Sequence, residues 1–396
     1  MASAIAILIA NRALRTFGYG FVTVLTGIYL KLLGGGDAAV VAALGISLLS
    51  GAGMNALVAY YGDRFGRRRA MVVFGLLMAL AGGILASAPG FAIALAALAL
   101  GTTSPTGTEV SPFLSIEQSI VAEVAPEGRR TRTFAMYNLI GSFAGAAGAL
   151  ASGVPTLVLG YAPNTVDPLR PMFACYAVLG LAAAALSRSL PETVEAGRNA
   201  PRVSLSAQSR ERISRISGLF AVDSFGGGFV VQSFVSFWFF TVYPESRAFL
   251  GVIFAGAGVL TALSFLLAAR LGERFGLLET MVATHLPSNV LLILIPVVPG
   301  FHLALLAYLG RMALSQMDVP TRQAYLAGIV SREERTAANA ASNTSRNLAQ
   351  AAGPFSAGGV VAAVGLTAPF LIGGALRIAY DLAIFSSFRH VKPGSV

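Results

Sequence analysis

The sequence predicts an all-α membrane protein in which twelve transmembrane helices form two pseudo-symmetric six-helix bundles. Composition is the first observation: apolar residues make up 55% of the 396 residues and charged residues only 12%, whereas soluble domains carry about 25% charged residues. The mean hydropathy of +0.72 agrees with this. The second observation is a series of long apolar runs separated by short polar turns, and the third is a repeat of motifs between the two halves of the chain.

Each predicted span is an apolar run long enough to cross the bilayer core, which takes about 20 residues. The longest polar segment separates six runs from six. We therefore expect an N-terminal six-helix bundle at residues 1–190, a cytoplasmic linker at 191–214 and a C-terminal six-helix bundle at 215–396. Spans 1 to 12 are predicted, in order, at residues 5–33, 38–61, 70–88, 91–122, 132–161, 169–190, 215–242, 247–271, 278–298, 302–329, 336–364 and 367–388.

Lysine and arginine predict the orientation of these spans. With both termini inside, 21 of the 28 Lys and Arg residues fall on the cytoplasmic side, 3 fall outside and 4 lie within spans. Cytoplasmic loops are enriched in these residues. The sequence therefore predicts a multi-pass protein of the cell inner (plasma) membrane with both termini in the cytoplasm. The net charge of +10 follows from this topology, so we expect no nucleic-acid partner.

The two halves share sequence at matching places. The segment GDRFG at residues 62–66 returns as GERFG at 272–276, an offset of 210, and the pair Arg-Thr at 130–131 returns at 335–336. The Arg-Thr pairs are 205 residues apart, and at the same offset of 205 Glu117 corresponds to Arg322. A repeat of six spans indicates two bundles related by an axis normal to the membrane.

With twelve spans, a six-plus-six repeat, a polar central linker and the sequence GDRFGRRR after span 2, the chain resembles the major facilitator superfamily. Ala59 replaces the first glycine of the family's loop signature, and the arginine that many drug–proton antiporters carry in span 4 is absent, so no subfamily is identified. The resemblance implies a cytoplasmic gate, with the loop carboxylate against the start of span 11 and the arginines on acidic partners or lipid phosphates. The matching gate residues are Asp63, Arg64, Gly66, Arg67 and Arg68.

The resemblance also implies that spans 1, 4, 7 and 10 line a central cavity, and these spans hold most of the intramembrane charges. A charge at mid-membrane costs at least ~2.5–3.5 kcal/mol, so each needs a partner or a wet cavity. Glu109 and Asp223 are the predicted proton carriers, because desolvation raises a carboxylate's affinity for protons; the alternative is a structural carboxylate bonded to hydroxyls. The candidate substrate-binding or proton-coupling residues are Arg15, Glu109, Asp223, Arg311 and Asp318.

Some of these charged residues have an alternative interpretation. Glu117 and Arg322 are expected to pair as a gate when the cavity closes on the cytoplasmic side, whereas the alternative pairs Arg322 with Asp318 one turn away. Arg15 could instead snorkel to the lipid headgroups.

The sequence also predicts three local features. Prolines and glycines should distort span 4. In the last spans, Arg377 and Asp381, four residues apart, suggest a local ion pair, and the aromatic residues 234–240 suggest an interfacial belt.

We expect a secondary transporter that moves a small organic solute by alternating access, with proton-coupled export. The alternatives are a facilitative or organic-anion exchange carrier and, in another class, a non-transporting sensor or scaffold on the same fold. Cys175 is the single cysteine and the three histidines have no ligand spacing, so no metal site or other cofactor is expected. The sequence contains no nucleotide-binding motif and no nucleophile–base set, so we do not expect an enzyme. The expected partners are the solute, protons and membrane lipid, with the protein as a monomer.

Overall fold

The computed structural model describes residues 2–107, 112–125, 130–158, 165–195, 206–331 and 334–390, and in these it is built from α-helices joined by short turns. Eight helical stretches in the described residues are long and apolar enough to cross a membrane. The helices are α1 Ala2–Leu32, α2 Asp37–Phe65, α3 Arg67–Ser87, α4 Phe91–Ala99, α5 Pro112–Val124, α6 Arg130–Ala151, α7 Val154–Val158, α8 Arg170–Arg188, α9 Ala207–Phe229, α10 Gln232–Val242, α11 Leu250–Phe275, α12 Leu277–Leu294, α13 Phe301–Ser315, α14 Asp318–Gly328, α15 Arg335–Val364 and α16 Ala368–Phe388.

Predicted spans 4, 5, 7 and 10 are each divided between two helices, with span 5 becoming α6 and α7. Span 4 becomes α4 and α5, span 7 becomes α9 and α10, and span 10 becomes α13 and α14. In span 4 the expected distortion is present: Gly101 and Gly107 adopt φ values of 67° and 75° on either side of Pro105. These positive φ values favour glycine. Spans 4, 7 and 10 are also three of those in which the sequence places intramembrane charges.

The break in span 4 frees backbone carbonyls at residues 102–105, and other segments supply their hydrogen-bond donors. Non-helical backbone at membrane depth is tolerated only where its polar groups are satisfied by protein or water. The four bonds run from Tyr176 Oη to Thr102 O (2.6 Å), Ser47 Oγ to Thr103 O (2.9 Å), Thr23 Oγ1 to Ser104 O (2.6 Å) and Ser233 N to Pro105 O (2.9 Å). Each freed carbonyl in this stretch is therefore paired.

By contact, the chain divides into two compact units. Unit 1 comprises residues 1–199 and 231–258, and unit 2 comprises 200–230 and 259–396. In unit 1, α3 packs along α8 and α1 along α6; in unit 2, α15 and α16 pack along α9. The α1–α6 contact is close because Gly148 has no side chain: a Cβ there would lie 1.9 Å from the carbonyl oxygen of Phe17.

The repeated GDRFG and GERFG segments form the same turn in the two units. Helix α2 ends at Phe65 and α3 begins at Arg67, so the single residue Gly66 turns the chain with φ of 97°. Gly276 does the same between α11 and α12 with φ of 100°. The two segments that repeat in sequence thus form the same tight turn, and its positive φ favours glycine in both copies.

The aromatic residues of α10 are buried, which corrects their interpretation as an interfacial belt. Phe234, Phe237 and Phe239 have no exposed surface, and Trp238 is 2% exposed. Trp238 makes an edge contact with Phe239, with ring centroids 5.2 Å apart. A belt residue would present its ring to lipid headgroups, whereas these rings pack inside unit 1 because α10 lies along α1.

Candidate functional site

Arg15 and Glu117 form a fully buried ion pair in unit 1. Arg15 Nη1 and Nη2 donate to Glu117 Oε1 and Oε2 at 2.8 and 2.7 Å, a two-bond geometry that is among the stronger charge-assisted contacts in proteins. Both side chains have no exposed surface. The snorkelling interpretation of Arg15 is therefore wrong: its guanidinium points to the carboxylate of α5, and no part of it reaches the surface.

Neighbouring side chains complete this pair. Tyr137 Oη donates to Glu117 Oε2 at 2.5 Å, and Arg15 Nη1 also donates to Asn11 Oδ1 at 2.8 Å. The Arg15 guanidinium carbon lies 4.0 Å from the centroid of the Phe113 ring, a cation–π contact. Buried charges are tolerated when they are paired and hydrogen-bonded. These contacts stabilise the negative charge of Glu117 and the positive charge of Arg15 inside unit 1.

The loop arginines contact acidic groups of unit 1. Arg67 donates through Nη1 and Nη2 to Glu123 at 2.7 and 2.8 Å. Arg68 Nη2 lies 3.7 Å from Glu192, and its Nη1 donates to the Leu190 carbonyl at 3.3 Å. The side chains of Asp63 and Arg64, and with them the predicted contact of Asp63 with span 11, lie outside the described residues.

A glutamate beyond span 6 caps the helix that follows this loop. Glu195 accepts hydrogen bonds from the backbone N–H groups of Arg67, at 2.6 Å, and Arg68, at 3.2 Å. These are N–H groups of the first turn of α3, which have no acceptor within the helix. An anion at a helix N-terminus is favourable by up to ~2 kcal/mol when partly buried. The start of the predicted linker is therefore tied to the loop signature within unit 1.

In unit 2, Asp223 on α9 lies at the centre of a buried ionic cluster. Arg377 Nε, on α16, donates to Asp223 Oδ1 at 2.8 Å, and Arg322 Nη1, on α14, lies 3.8 Å from Asp223 Oδ2. Arg322 also donates to Asp318 Oδ2 at 2.6 Å, the pairing of the simpler alternative. The four residues are between 2% and 9% exposed.

His285 joins Asp223 to a second carboxylate, Asp381. Its Nε2 lies 2.8 Å from Arg377 Nη2, and its Nδ1 lies 2.7 Å from Asp381 Oδ1. A guanidinium can only donate, so Nε2 must accept and the proton of the ring resides on Nδ1, which donates to Asp381. The other tautomer would place two lone pairs 2.7 Å apart. His285 is thus a neutral imidazole in this arrangement, and it is fully buried.

The neighbours of Arg377 and Asp381 correct the interpretation of these two residues as a local pair. Arg377 donates to Asp223 and to His285. Asp381 accepts from His285 and, at 2.9 Å, from Asn289 Nδ2. Tertiary partners on α9 and α12 have replaced the contact that the spacing of four suggested.

The cluster contains a set of possible metal-ligand atoms. Ligand atoms of Asp223, His285 and Asp318 lie within 4.8 Å of one another. However, the guanidinium groups of Arg377 and Arg322 already donate to the two carboxylates, and the third donor, Nε2 of His285, accepts from Arg377. The residues present do not fit a cation, because two fixed positive charges occupy its place.

Arg311 on α13 differs from the other cluster arginines. It is 8% exposed, and the described residues place no carboxylate within 4.0 Å of it; its Nη1 lies 3.5 Å from Met312 Sδ, and its Nε is buried without a hydrogen-bond partner. Its charge interacts with those of Arg377, Asp223 and Asp318, so it belongs to the same cluster.

Two predictions about site residues extend beyond what the structure describes. Glu109, a predicted proton carrier, lies outside the described residues. Glu117 and Arg322, the predicted gate pair, each have a partner in their own unit, Arg15 and Asp318 respectively. Their pairing with each other stays a prediction.

Sequence reasoning missed His285, Asn289 and Asp381 as site residues. His285 lies in the sequence THLPSN, where a histidine two residues before a proline in an apolar span was the available signal. An ionisable residue within a membrane span is a functional candidate by default, and that rule would have selected it.

The fold and these buried ionic clusters define a multi-pass membrane protein with two related halves and charged groups inside its helical units. The sequence model of the Major Facilitator Superfamily matches residues 8–310 and 245–395. The chain therefore belongs to the Major Facilitator Superfamily, and it has the fold of that family's transporters.

Individual relatives agree with this assignment. The chain is 23% identical to a Saccharomyces cerevisiae protein described as uncharacterized membrane protein YJR124C, over 98% of this chain and 94% of the relative. Among solved structures it is similar to the nucleoside transporter NupG, with a TM-score of 0.77 and 13% identity, over 98% of this chain and 99% of that one. It is also similar to a D-xylose-proton symporter, with a TM-score of 0.73 and 17% identity, over 99% and 98%.

Proposed function

We propose that the chain is a secondary transporter that moves a small organic solute across the cytoplasmic membrane by alternating access, coupled to protons and operating in export. The observation that carries the proton coupling is the cluster of Asp223, His285 and Arg377. In a family of carriers, a buried acid–base set on membrane helices is a candidate for the coupling element. The structural relative named as a D-xylose-proton symporter supports a proton as the coupling ion.

The cluster offers a specific proton step. Nε2 of His285 now accepts from Arg377, and a proton bound there would convert it into a donor. Two donors cannot share the contact, so Arg377 Nη2 must leave. The protonated Nε2 then faces Asp223 Oδ1, which lies 3.6 Å away. Binding of one proton thus replaces the contact between His285 and Arg377 with an ion pair between His285 and Asp223. We propose that this replacement couples proton binding to the conformation of unit 2.

Charged and titratable groups on five helices surround His285, where this proton would bind. In the described residues they are Asp223 on α9, Arg311 on α13, Asp318 and Arg322 on α14, Arg346 on α15, and Arg377, Tyr380 and Asp381 on α16. The cluster contains more guanidinium groups than carboxylates. A further proton is therefore accepted most readily when an anion is also present or when an arginine moves away.

The test uses the full chain in proteoliposomes loaded with a pH-sensitive dye. A panel of sugars, nucleosides and organic acids is offered under proton gradients of both signs. We expect at least one solute to move together with a change in internal pH, with export favoured, and we expect Asp223→Asn and His285→Gln to abolish the pH change. His302→Gln is the matched control, since His302 is exposed.

The outcomes separate the candidates. Solute flux without a pH change would reject proton coupling and support the second candidate, a facilitative or organic-anion exchange carrier, which Arg311 without a carboxylate partner favours. No flux of any solute in the panel would reject transport and support the sensor or scaffold.

A further inference from the structure

The buried ionic cluster of unit 2 has an unbalanced charge. With His285 neutral, its charged members in the described residues are four guanidinium groups and three carboxylates, namely Arg311, Arg322, Arg346, Arg377, Asp223, Asp318 and Asp381. The cluster therefore carries one net positive charge when the partly buried Arg346 is counted. Burying a charge without a partner costs several kcal/mol. One guanidinium group of the cluster is therefore expected to bind an anion that is not part of the chain.

Arg311 is the buried member of the cluster that lacks an acceptor. Arg322 donates to Asp318, and Arg377 donates to Asp223. Arg346 is only partly buried and donates to the Ser224 hydroxyl at 3.0 Å. Arg311 is 8% exposed, and its Nη1 donates to the Met312 sulfur at 3.5 Å. A thioether is a weak acceptor, so the guanidinium has most of its five N–H donors available.

A second unsatisfied polar group lies beside it. Ser315 is 1% exposed, and its hydroxyl is buried without a hydrogen-bond partner in the described residues. Ser315 follows Arg311 by four positions on α13, so the two side chains share one face of the helix. Buried polar side chains normally have partners. Two on one helix face, one of them a fork-shaped cation, form a site with the donors for an anion.

We propose that Arg311 and Ser315 bind the carried solute and that this solute is a small organic anion with a carboxylate group. The inference rests on the proposed transport function and names its substrate class. A carboxylate accepts two parallel N–H bonds from one guanidinium, which a neutral hydroxyl or a cation does not. Its two oxygens also leave an acceptor for the Ser315 hydroxyl. Binding brings the cluster to charge balance without displacing Asp223 or Asp318 from its arginine.

The test measures ligand binding by thermal unfolding of the purified full chain in detergent, followed by the fluorescence of Trp238, the single tryptophan, which is buried. The probes are benzoate and gluconate, each against a neutral analogue, benzamide or glucose, with glucose 6-phosphate as the phosphate arm. All samples have equal ionic strength, set with chloride. We expect a carboxylate probe to raise Tm by several degrees while its neutral analogue does not.

The variants locate the site. Arg311→Gln should abolish the shift, and Ser315→Ala should raise the half-maximal concentration about 3- to 10-fold, the effect of one hydrogen bond. Arg311→Lys keeps the charge but loses the fork, so a reduced shift should remain. Arg270→Gln, which removes an exposed arginine of the same unit, should leave the shift unchanged. The ligand-free Tm of Arg311→Gln should be equal to or higher than that of the unsubstituted chain, because an unpaired buried charge is removed.

Three results would overturn the proposal: equal stabilisation by the neutral analogues, a carboxylate shift that survives in Arg311→Gln, or no shift with either carboxylate. A shift with glucose 6-phosphate alone would replace the carboxylate with a phosphate and overturn the stated class. A lower ligand-free Tm in Arg311→Gln would show a structural role instead. Binding is measured at one pH without a gradient, so it can succeed or fail independently of proton coupling.

Discussion

The Nε2 atom of His285 lies 2.8 Å from Nη2 of Arg377, and this contact fixes the imidazole as the neutral Nδ1–H tautomer. The opposite nitrogen donates to Asp381 at 2.7 Å. The ring therefore has one occupied donor and one occupied acceptor, and a proton added at Nε2 would displace Arg377 Nη2 and leave the bond from Arg377 Nε to Asp223 in place.

The tautomer can be observed directly. The chain contains three histidines, so nitrogen-15 labelling of histidine gives three sets of ring signals. We expect one set at neutral pH to show a protonated Nδ1 and an unprotonated Nε2, and to disappear in His285→Gln but not in the control His302→Gln. A signal with both nitrogens protonated at neutral pH would contradict the assignment and remove the proton step built on it.

The Arg15–Glu117 pair should make a large contribution to stability. Removing one partner of a buried ion pair costs about 3–5 kcal/mol, because the other charge is left unpaired; we expect Glu117→Gln to reach the lower end, since the amide keeps hydrogen bonds to its neighbours. Denaturant unfolding followed by Trp238 fluorescence measures this.

A surface pair and a double variant serve as controls for that prediction. Glu211 and Arg215 are 67% and 74% exposed, so Glu211→Gln should cost less than ~1 kcal/mol. The double variant Arg15→Met/Glu117→Leu should be more stable than either single variant, because apolar residues of similar volume often replace a buried pair without loss. Equal losses for Glu117→Gln and Glu211→Gln would show that the pair is not held as the structure has it.

The two one-residue turns should each require glycine. Gly66→Ala and Gly276→Ala force a left-handed backbone on an L-residue, which costs about 1–2 kcal/mol. At Gly276 the new Cβ would also lie 2.3 Å from Glu279 Oε2, although that side chain is exposed and can move. Gly83→Ala is the control, because it lies within α3 and its Cβ would meet nothing within 4 Å. It should be neutral or stabilising by up to ~1 kcal/mol. Equal effects at all three positions, measured by Tm, would argue against the strained turns.

Glu334, directly before α15, should give stability that depends on pH. Hydrogen bonds from the Ser209 hydroxyl and the Ser206 backbone N–H lower the pKa of Glu334 to about 2. A carboxylate whose pKa is lower in the folded state stabilises the fold above its unfolded pKa of about 4.3, and this contribution is lost as the pH falls toward 2.

The difference in Tm between the unsubstituted chain and Glu334→Gln should therefore be constant from pH 7 to about pH 5 and shrink below it. Glu211→Gln, at an exposed glutamate, should show little dependence over the same range. A difference that grows on acidification would have the wrong sign for a lowered pKa.

The sequence predicts those features that depend on local pattern. The apolar runs predict the all-α membrane fold, the GDRFG repeat predicts two related halves, and the prolines and glycines of span 4 predict its distortion. The breaks in spans 7 and 10 were not predicted: hydropathy remains high through Val230, and the polar residues that follow Met317 were interpreted as intramembrane charges within one helix.

The candidate site was predicted in part. Charged residues such as Asp223 and Arg311 stand out in apolar spans, so composition alone selects them. Their partners do not, because Arg377 bonds to Asp223 across 154 residues of sequence and His285 bonds to Asp381 across 96. Spacing along one helix suggested the wrong partner for Arg377, since Asp381 is bonded instead to His285 and Asn289 on α12.

The row of carbonyls at residues 102–105 limits how this protein can evolve. Three of its four donors are side chains, Thr23, Ser47 and Tyr176, carried by different helices, and each would lose its acceptor if the break were straightened. Homologues that restore a regular helix here should therefore also have apolar residues at those three positions, whereas homologues that keep the break should keep hydroxyl groups. Substitutions at four separate places in the chain are expected to be inherited together.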